Sequence, residues 1–363
     1  MPPEPQPAGP ASVVYRWDLD KTYLQTEFET LRGLLRAATE SAEAKRSVPG
    51  MRALLSALSL SQPARIVVVS GSPTFLRSRF EEMFALQGVR CDRLVLKDFV
   101  GAVRRGRLRS IKAQLPYKLL AHLQTRIWLA GDQADVPEIC FGDDAEVDAL
   151  VYCLYADVCA RRVDATRLRA LLLKAGAYAD EVVAILQALA KLPRHDPVRR
   201  IFIHLDGRSP PAHFDAYRGR ATATFDALQI AISLVSDGLA DDAVLSAVVD
   251  ELVLSHRVDA HGLAGSMEDA TRRGLCSADA ARRVALEVLP ASAAGSVGFD
   301  AEFAARIGRR LQDDRAQGHL QPAQPLPYET LLVEEGRFAQ ARKLARQAAR
   351  QVPGLADFLD DDV

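Results

Sequence analysis

The stretch ARIVVVS at residues 64–70 contains four consecutive β-branched apolar residues with no polar alternation. Strands of this kind are buried on both faces, which is typical of parallel sheets covered by helices on each side. Parallel strands need a long crossover connection, which is most often a helix. A helical pattern follows directly at PTFLRSRFEEMFALQG, with Pro at its start and Gly at its end. This one strand therefore directs the chain towards an α/β architecture.

Three further strand-like runs share the first 160 residues with this strand, namely SVVYRW, DRLVLK and PEICFG. Helical patterns separate the runs, at FETLRGLLRAATESAEAK, VPGMRALLSALSL and PYKLLAHLQTR. Strands that alternate with helices predict a doubly wound parallel sheet with right-handed crossovers.

From about residue 161 the patterns become mainly helical and rich in Ala, Leu and Arg, with VRRIFIHLD as one strand-like exception. No fixed repeat period is visible, so a helical-repeat solenoid has little support. We therefore predict a disordered tail at 1–11, an α/β domain at 12–160 and a mainly helical region of unknown role at 161–321. A C-terminal helix with an acidic tail would occupy 322–363.

Bulk properties exclude several classes of protein. The net charge of −1 argues against bulk electrostatic binding to nucleic acid. The five cysteines include no C-x-x-C pair and are expected to be reduced thiols in a cytoplasmic protein. No segment reaches the roughly 20 apolar residues that span a bilayer, and the Pro-rich start is not a secretory signal. Peripheral contact with a membrane surface stays open.

Polar clusters follow the predicted strands, at the edge where ligands bind in a doubly wound sheet. These clusters are DLDKT with Asp18 and Asp20, SGSP with Ser70, the helix residue Lys118, and GDDAEVD with Gly142, Asp143, Asp144 and Asp148. Each signal is weak alone, since Asp before Thr is also a helix N-cap or turn signal. The interpretation rests on the four signals occurring together, in the right order and each at a predicted strand end.

Carboxylates from two strand ends, a hydroxyl and a lysine suit phosphoryl transfer. A dianionic substrate calls for a cation, and ligands that are all oxygen indicate Mg²⁺. One carboxylate attacks phosphorus in line, and a second carboxyl group protonates the leaving oxygen. The hydroxyl and the ammonium stabilise the equatorial oxygens as charge redistributes.

On these residues the chain resembles the haloacid dehalogenase superfamily of phosphohydrolases. The matching motifs are D-x-D-x-T at Asp18 to Thr22, a strand-end serine at Ser70, a lysine at Lys118, and G-D-x-x-x-x-D at Gly142, Asp143 and Asp148. Within the superfamily, VPGM, SGSP and GDDAEVDALVY look most like the phosphatidate-phosphatase-type catalytic domain of the actin-patch protein family. The resemblance covers about residues 12–160.

The resemblance implies a nucleophilic Asp18 that forms an aspartyl-phosphate, with Asp20 as general acid and then as general base. It also implies Mg²⁺ held by the Asp18 carboxylate, the Asp20 backbone carbonyl and Asp143. Ser70 and Lys118 would grip the phosphoryl group.

Four other residues have supporting roles in this reading. Thr22 and Gly71 would complete the substrate-binding loops. Asp148 would orient the water shell of the metal or Lys118. Asp144 would lie behind the ligands near a helix N-terminus, where the helix dipole favours a carboxylate, or would add a ligand.

Several alternatives stay open. Lys97 and Lys112 compete with Lys118 for the lysine role, and AGDQAD at residues 130–135 competes with GDDAEVD. The basic stretch from Arg104 to Lys112 is either a solvated loop or a surface that steers an anionic substrate or lipid.

The sequence leaves two functions in competition. The short gaps between motifs hold no large inserted lid. The open site would therefore suit a macromolecular, lipid or bulky phosphate ester better than a phosphorylated small molecule, unless the helical region folds over it. The alternative is a catalytically silent scaffold whose helical half binds a protein partner. Zinc is disfavoured because the histidines lack ligand spacing. A serine hydrolase elbow and a P-loop are missing from the sequence.

Overall fold

The computed structural model of the chain describes residues 12–20, 22–23, 47–61, 63–107, 113–129, 136–206, 209–311, 326–337 and 340. The following predictions lie outside those residues: the helix at 28–45, Lys112, the competing cluster at 130–135, both predicted tails, and all but residues 326 and 327 of the stretch at 322–327.

Six strands of the described residues form one sheet in which every neighbouring pair is parallel. They are β1 (Val13–Trp17), β2 (Ala64–Pro73), β3 (Arg93–Lys97), β4 (Glu138–Asp143), β5 (Val198–His204) and β6 (Thr222–Thr224). Their order in the sheet is β3-β2-β1-β4-β5-β6. The predicted parallel α/β sheet is confirmed, and its strand order is that of Rossmann-like doubly wound folds.

Helices connect and follow the strands. In chain order they are α1 (Met51–Ser61), α2 (Arg77–Leu86), α3 (Phe99–Arg104), α4 (Gln114–Leu129), α5 (Asp148–Cys159), α6 (Ala165–Lys174), α7 (Ala179–Ala190), α8 (Ala227–Ser236), α9 (Asp242–Leu254), α10 (Ala260–Arg272), α11 (Ala278–Arg283), α12 (Ala301–Arg310) and α13 (328–337). Short 3₁₀ helices occur at Thr74–Leu76, Pro211–Tyr217, Leu289–Ala291 and Ala293–Val297, and a π-helical turn at Val284–Val288. Among the described helices, none combines the length and the apolar character needed to cross a bilayer.

The strand order places a switch point between β1 and β4. The chain leaves β1 for β2 and β3 on one side, and then returns to the other side of β1 to form β4. The loops after β1 and β4 therefore diverge and leave a crevice at the carboxyl ends of these two strands. Asp18 follows β1, and Asp143 ends β4.

Alternate residues of β1 enter different cores, as a strand period of two requires. Tyr15 and Trp17 pack in a large core that also contains side chains from α1 and α8 to α12. Val14 packs on the opposite face, against Ala121 and Leu129 of α4. Both faces of the sheet are therefore covered by helices.

The sheet does not end at the predicted domain boundary. β5 pairs with β4 with Phe202 opposite Phe141, and helices after residue 226 fill the same core as β1. VRRIFIHLD forms β5 because its apolar residues at 201–203 complete a buried strand. The region after 161 is mainly helical, as predicted, but residue 160 marks no break in the sheet or its core.

Phe141 connects the two halves of the chain. Its ring stacks on Trp17 with centroids 4.1 Å apart and on Phe202 at 5.7 Å, and it is 1% exposed.

We expect Phe141→Ala to lower the free energy of unfolding by about 3–5 kcal/mol, because it leaves a cavity between strands from both halves. Chemical denaturation monitored by circular dichroism measures this loss. Phe75→Ala, at a position 54% exposed, is the control and should cost less than about 0.5 kcal/mol. Equal effects would contradict the shared core.

Candidate functional site at the carboxyl edge of the sheet

Asp18 lies at the switch point, directly after β1. Its carboxylate is 1% exposed, and its Oδ1 accepts a hydrogen bond from Lys118 Nζ at 2.8 Å. The second oxygen, Oδ2, is buried and has no hydrogen-bond partner among the described residues. An unsatisfied oxygen of a buried carboxylate costs free energy, so this atom is a candidate for binding a ligand.

Lys118 comes from the first turns of α4 and is 1% exposed. Besides Asp18, its ammonium contacts Glu146 Oε2 at 2.7 Å and forms a hydrogen bond with Asp148 Oδ1. Burial lowers the pKa of Lys118, but Asp148, Asp18 and Glu146 more than offset this and raise the pKa well above its usual value. Lys118 is therefore held as a cation at the centre of three carboxylates.

Asp20 faces the end of β2. Its Oδ2 accepts hydrogen bonds from Ser70 Oγ and Ser72 Oγ, each at 2.8 Å. Ser70 Oγ in turn accepts the backbone N–H of Ser72 at 2.9 Å, which fixes the direction of its hydroxyl. The structure brings the predicted Asp20 and Ser70 together and adds Ser72, which the sequence analysis had not singled out from SGSP.

Asp143 ends β4 and orders the turn that follows. Its Oδ1 accepts the backbone N–H groups of Ala145 at 2.6 Å and of Glu146 at 3.0 Å. Its Oδ2 accepts a hydrogen bond from the Thr22 hydroxyl at 3.4 Å. Thr22 is therefore a contact of Asp143 across the crevice between β1 and β4.

The Gly142–Asp148 spacing has a steric reason. Asp148 begins α5 and accepts the backbone N–H of Asp143 on Oδ2 at 3.3 Å, so its side chain folds back over the end of β4. A Cβ on Gly142 would lie 2.5 Å from the Asp148 Cβ, a separation that only glycine avoids. The hydrogen bond from Lys118 Nζ to the other oxygen of Asp148, Oδ1, is consistent with the predicted role of Asp148 in orienting Lys118.

Asp144 is placed differently from its predicted position near a helix N-terminus. Helix α5 begins only at Asp148, and Asp144 Oδ2 instead accepts the backbone N–H of Ser209 at 2.8 Å. The backbone N–H of Asp144 also donates to the carbonyl of His204 at 3.0 Å. Asp144 therefore attaches the segment after β5 to the edge of the site.

Gln114 separates the competing lysines. Its amide lies against Gly71, where a Cβ would be 2.6 Å away, and donates from Nε2 to Glu146 at 3.5 Å. Lys97 Nζ lies on the other side of Gln114, donating to the carbonyl of Ala113 at 3.2 Å. Between Lys97 and Lys118, the structure places Lys118 at Asp18.

Helix α4 runs along one face of β1 and contacts it at three levels. Lys118 meets Asp18, Thr125 Oγ1 accepts from Arg16 Nη1 at 2.7 Å, and Leu129 packs near Val14. From Lys118 to Thr125 is about two helical turns and from Thr125 to Leu129 about one, while the strand residues lie two positions apart. The position of Lys118 therefore depends on this whole helix–strand contact.

Arg16 is the centre of a buried polar network below the site and is completely buried. Its guanidinium binds both oxygens of Glu138, at 2.5 and 3.0 Å. Arg126 Nη1 donates to Glu138 Oε1 at 2.7 Å, and the Tyr155 hydroxyl donates to Oε2 at 2.8 Å. The ring of His122 lies 3.5 Å from Arg16 Nη1. A buried arginine is stable only with such partners.

The acidic residues fit a divalent cation. Asp18, Glu146 and Asp148 each offer an oxygen within 4.8 Å of the others, so this cluster could hold a metal ion. One ammonium faces three carboxylates, which leaves an excess of buried negative charge. Burial, together with Asp148, Glu146 and Asp143, raises the pKa of Asp18 well above its usual value despite the lowering by Lys118. A further cation would relieve this excess.

Two ligand sets share Asp18. The predicted set consists of Asp18, the Asp20 carbonyl and Asp143, whereas the acidic cluster consists of Asp18, Glu146 and Asp148. Glu146 was not among the predicted residues, although it stands in GDDAEVD between two residues that were. Because the Lys118 ammonium already neutralises part of the negative charge of the acidic cluster, the two sets differ in the charge that they offer to a metal ion.

Of the basic stretch from Arg104 to Lys112, residues 108–112 lie outside the described residues, and two of the described arginines form ion pairs. Arg105 Nη2 lies 3.3 Å from Asp98 Oδ2, and Arg107 Nη1 lies 2.7 Å from Asp180 Oδ2. Their charges are therefore partly neutralised, which weakens the interpretation as a steering surface.

Comparisons with family models, curated proteins and solved structures find no significant match to this chain. The resemblance to the haloacid dehalogenase superfamily therefore stays a prediction that rests on the motif residues.

The Arg16–Glu138 pair makes stability depend on pH. Burial raises the pKa of Glu138, but Arg16 and Arg126 outweigh this and lower it below its ordinary value of about 4.3. The stabilisation by this carboxylate is thus present above about pH 4.3 and is lost as the pH falls through the lower folded-state pKa. We expect Glu138→Gln to cost about 3–5 kcal/mol near pH 7.

Urea unfolding of wild type and Glu138→Gln at several pH values measures this cost. The difference between the two proteins should shrink as the solution is acidified. Glu81→Gln, at an exposed pair with Arg77, is the control and should cost less than about 1 kcal/mol at every pH. A cost for Glu138→Gln that does not change with pH would contradict the assignment.

Proposed function

We propose that the protein is a Mg²⁺-dependent phosphohydrolase that cleaves a phosphate monoester through an aspartyl-phosphate on Asp18. The observation that carries the proposal is the state of Asp18 itself. One of its oxygens is bound by Lys118, and the other is buried without a described partner at the switch point of the sheet. A carboxylate positioned in this way can present one oxygen to phosphorus.

The reaction follows from the positions of the side chains. The Asp18 carboxylate attacks phosphorus, and the ester oxygen leaves with a proton from Asp20. Asp20 then takes a proton from water, which attacks the aspartyl-phosphate and releases inorganic phosphate and free Asp18. The hydroxyls of Ser70 and Ser72 hold Asp20 in orientation between these two proton transfers.

Lys118 is the cationic partner of the reaction. Its ammonium contacts Asp18 and would be next to the transferring phosphoryl group, where it stabilises the charge on the equatorial oxygens. Glu146 and Asp148 hold the ammonium at this place. Gly71, near the carboxyl end of β2, lies against the amide of Gln114, where a Cβ would be 2.6 Å away.

Mg²⁺ would supply charge neutralisation between the attacking carboxylate and the phosphoryl oxygens. We propose Asp18, the Asp20 carbonyl and Asp143 as its protein ligands, with Asp144 and Asp148 behind them. These groups are all oxygen donors, which agrees with the preference of Mg²⁺.

The proposed substrate is a phosphate monoester, and within that class we propose a lipid-like or otherwise bulky ester.

The alternative function is a catalytically silent scaffold. The observation that favours catalysis is that four ionisable side chains, those of Asp18, Lys118, Glu146 and Asp148, meet in one largely buried crevice. Such groups cost stability that a scaffold has no reason to sacrifice.

Asp18→Asn is expected to lower the rate of phosphate-ester hydrolysis by at least about 10³-fold, because the amide is a poor nucleophile. The assay uses a small chromogenic phosphate ester with Mg²⁺, and circular dichroism confirms that the variant is folded. Asp279→Asn changes an exposed carboxylate at the start of α11 and should retain the wild-type rate. If wild type and Asp18→Asn hydrolyse the ester at the same low rate, the scaffold function replaces the phosphatase.

Direct Mg²⁺ binding distinguishes the two ligand sets. We expect Asp143→Asn to weaken Mg²⁺ binding at least about tenfold, a loss of about 1.4 kcal/mol, and Glu146→Gln to weaken it less, because Lys118 already compensates Glu146. Isothermal titration and the rise of melting temperature with Mg²⁺ measure both effects without turnover. A larger loss for Glu146→Gln would assign the ion to the cluster around Lys118.

A further inference from the structure

Carboxylates surround the ammonium of Lys118. A lysine ammonium has three N–H donors and no acceptor. Two of these donors make hydrogen bonds, one to Asp18 Oδ1 at 2.8 Å and one to Asp148 Oδ1. The carboxylate of Glu146 lies at the remaining position, with its Oε2 2.7 Å from Nζ. Within the described part of the chain, the ammonium therefore has no donor left for a further anion.

The proposed reaction needs one of these donors. Lys118 stabilises the equatorial oxygens of the phosphoryl group only if an N–H is directed at one of them. A carboxylate at that position occupies the donor and also repels the phosphoryl dianion. One of the three carboxylates must therefore move when the phosphoryl group binds.

Glu146 is the carboxylate that is held least firmly. Its side chain is 24% exposed, whereas those of Asp18 and Asp148 are 1% and 0% exposed. Its Oε2 is close to Lys118 but makes no hydrogen bond, so this contact is an ion pair without hydrogen-bond geometry. Gln114 Nε2 reaches the other oxygen, Oε1, only at 3.5 Å, which is long for a hydrogen bond.

The backbone of Glu146 is anchored independently of its side chain. The residue lies in the turn at 144–147 between β4 and α5, and its N–H donates to Asp143 Oδ1 at 3.0 Å. The side chain can therefore rotate towards solvent without a change in the turn. Asp18 and Asp148 would continue to hold the Lys118 ammonium in place.

The position that Glu146 would leave lies beside the proposed nucleophile. Oxygens of Glu146 and Asp18 lie within 4.8 Å of each other, and Asp18 Oδ2 is buried without a hydrogen-bond partner among the described residues. A phosphoryl oxygen that replaces the Glu146 carboxylate on Lys118 would bring phosphorus close to Asp18.

We propose that Glu146 occupies the phosphoryl-binding position on Lys118 in the free protein, and that the phosphoryl group displaces it on binding. The inference rests on the proposed function, because it assigns how the same site exchanges a carboxylate of its own for the substrate. Glu146 thereby weakens the binding of every phosphate ester by the free energy needed to break its ion pair with Lys118.

Titration of the full chain with inorganic phosphate tests the proposal, at a Mg²⁺ concentration that saturates each protein. Glu146→Gln keeps the size of the side chain but removes its charge, and should bind phosphate at least about tenfold more tightly than wild type. The KM for a chromogenic phosphate ester should fall by a similar factor. Glu146→Ala removes the carboxylate altogether and should shift both quantities in the same direction.

Asp98→Asn is the matched control. It removes a negative charge at the same edge of the sheet, where Asp98 pairs with Arg105 and caps α3, and asparagine is an equally good cap. Because Asp98 is not among the measured contacts of Lys118, this variant should bind phosphate within about twofold of wild type. Isothermal titration measures the affinities, and thermal melting confirms that each variant is folded.

The inference is overturned if neither Glu146 variant binds phosphate more tightly than wild type, or if Asp98→Asn tightens binding as much as Glu146→Gln. In either case, ester hydrolysis that is lost in Asp18→Asn would leave the proposed function intact. Conversely, tighter phosphate binding by the Glu146 variants without hydrolysis that depends on Asp18 would reject the phosphatase and support the exchange at Lys118. If no protein in the series binds phosphate, the inference is also rejected.

Discussion

The contact between Lys118 and Asp18 is the interaction on which the site depends. Both groups are almost fully buried, and neither is stable in that environment without an opposite charge. Asp18 follows β1, Lys118 is on α4, and Asp148 begins α5. The pairing of the Lys118 ammonium with these two carboxylates therefore determines how the three elements meet. The same electrostatic requirement therefore shapes the switch point of the sheet and positions the residues proposed to act there.

A second buried pair acts along the same helix–strand contact. Arg16 lies two residues before Asp18 on the same face of β1 and binds Glu138 of β4 and Thr125 of α4. A register shift of one residue would bury Arg16 and Asp18 against the opposite, apolar core. Arg16 of β1 and Asp18 directly after it thus specify a single register, and their particular partners offset the cost of removing these charges from water.

Local patterns predicted much of this arrangement. The buried strands, the helix with Lys118, and the clusters after β1, β2 and β4 could be read from sequence because strand ends share one edge of a parallel sheet. Contacts that join distant segments could not be read in this way. Nothing in the local pattern pairs Arg16 with Glu138, or Asp144 with the backbone of Ser209, and the strand pattern at 198–204 did not reveal that β5 extends the same sheet.

The extension of the sheet beyond residue 160 bears on how the site is built. β5 lies next to β4, and the segment after it is tied to Asp144 beside Asp143. β5 and Ser209 therefore support the acidic edge directly, from the region after residue 161. A crevice that collects several carboxylates around one ammonium is unfavourable by itself. The surrounding sheet and core must supply the stability that keeps it in place, and sites that break the rules of folding in this way are where function is expected.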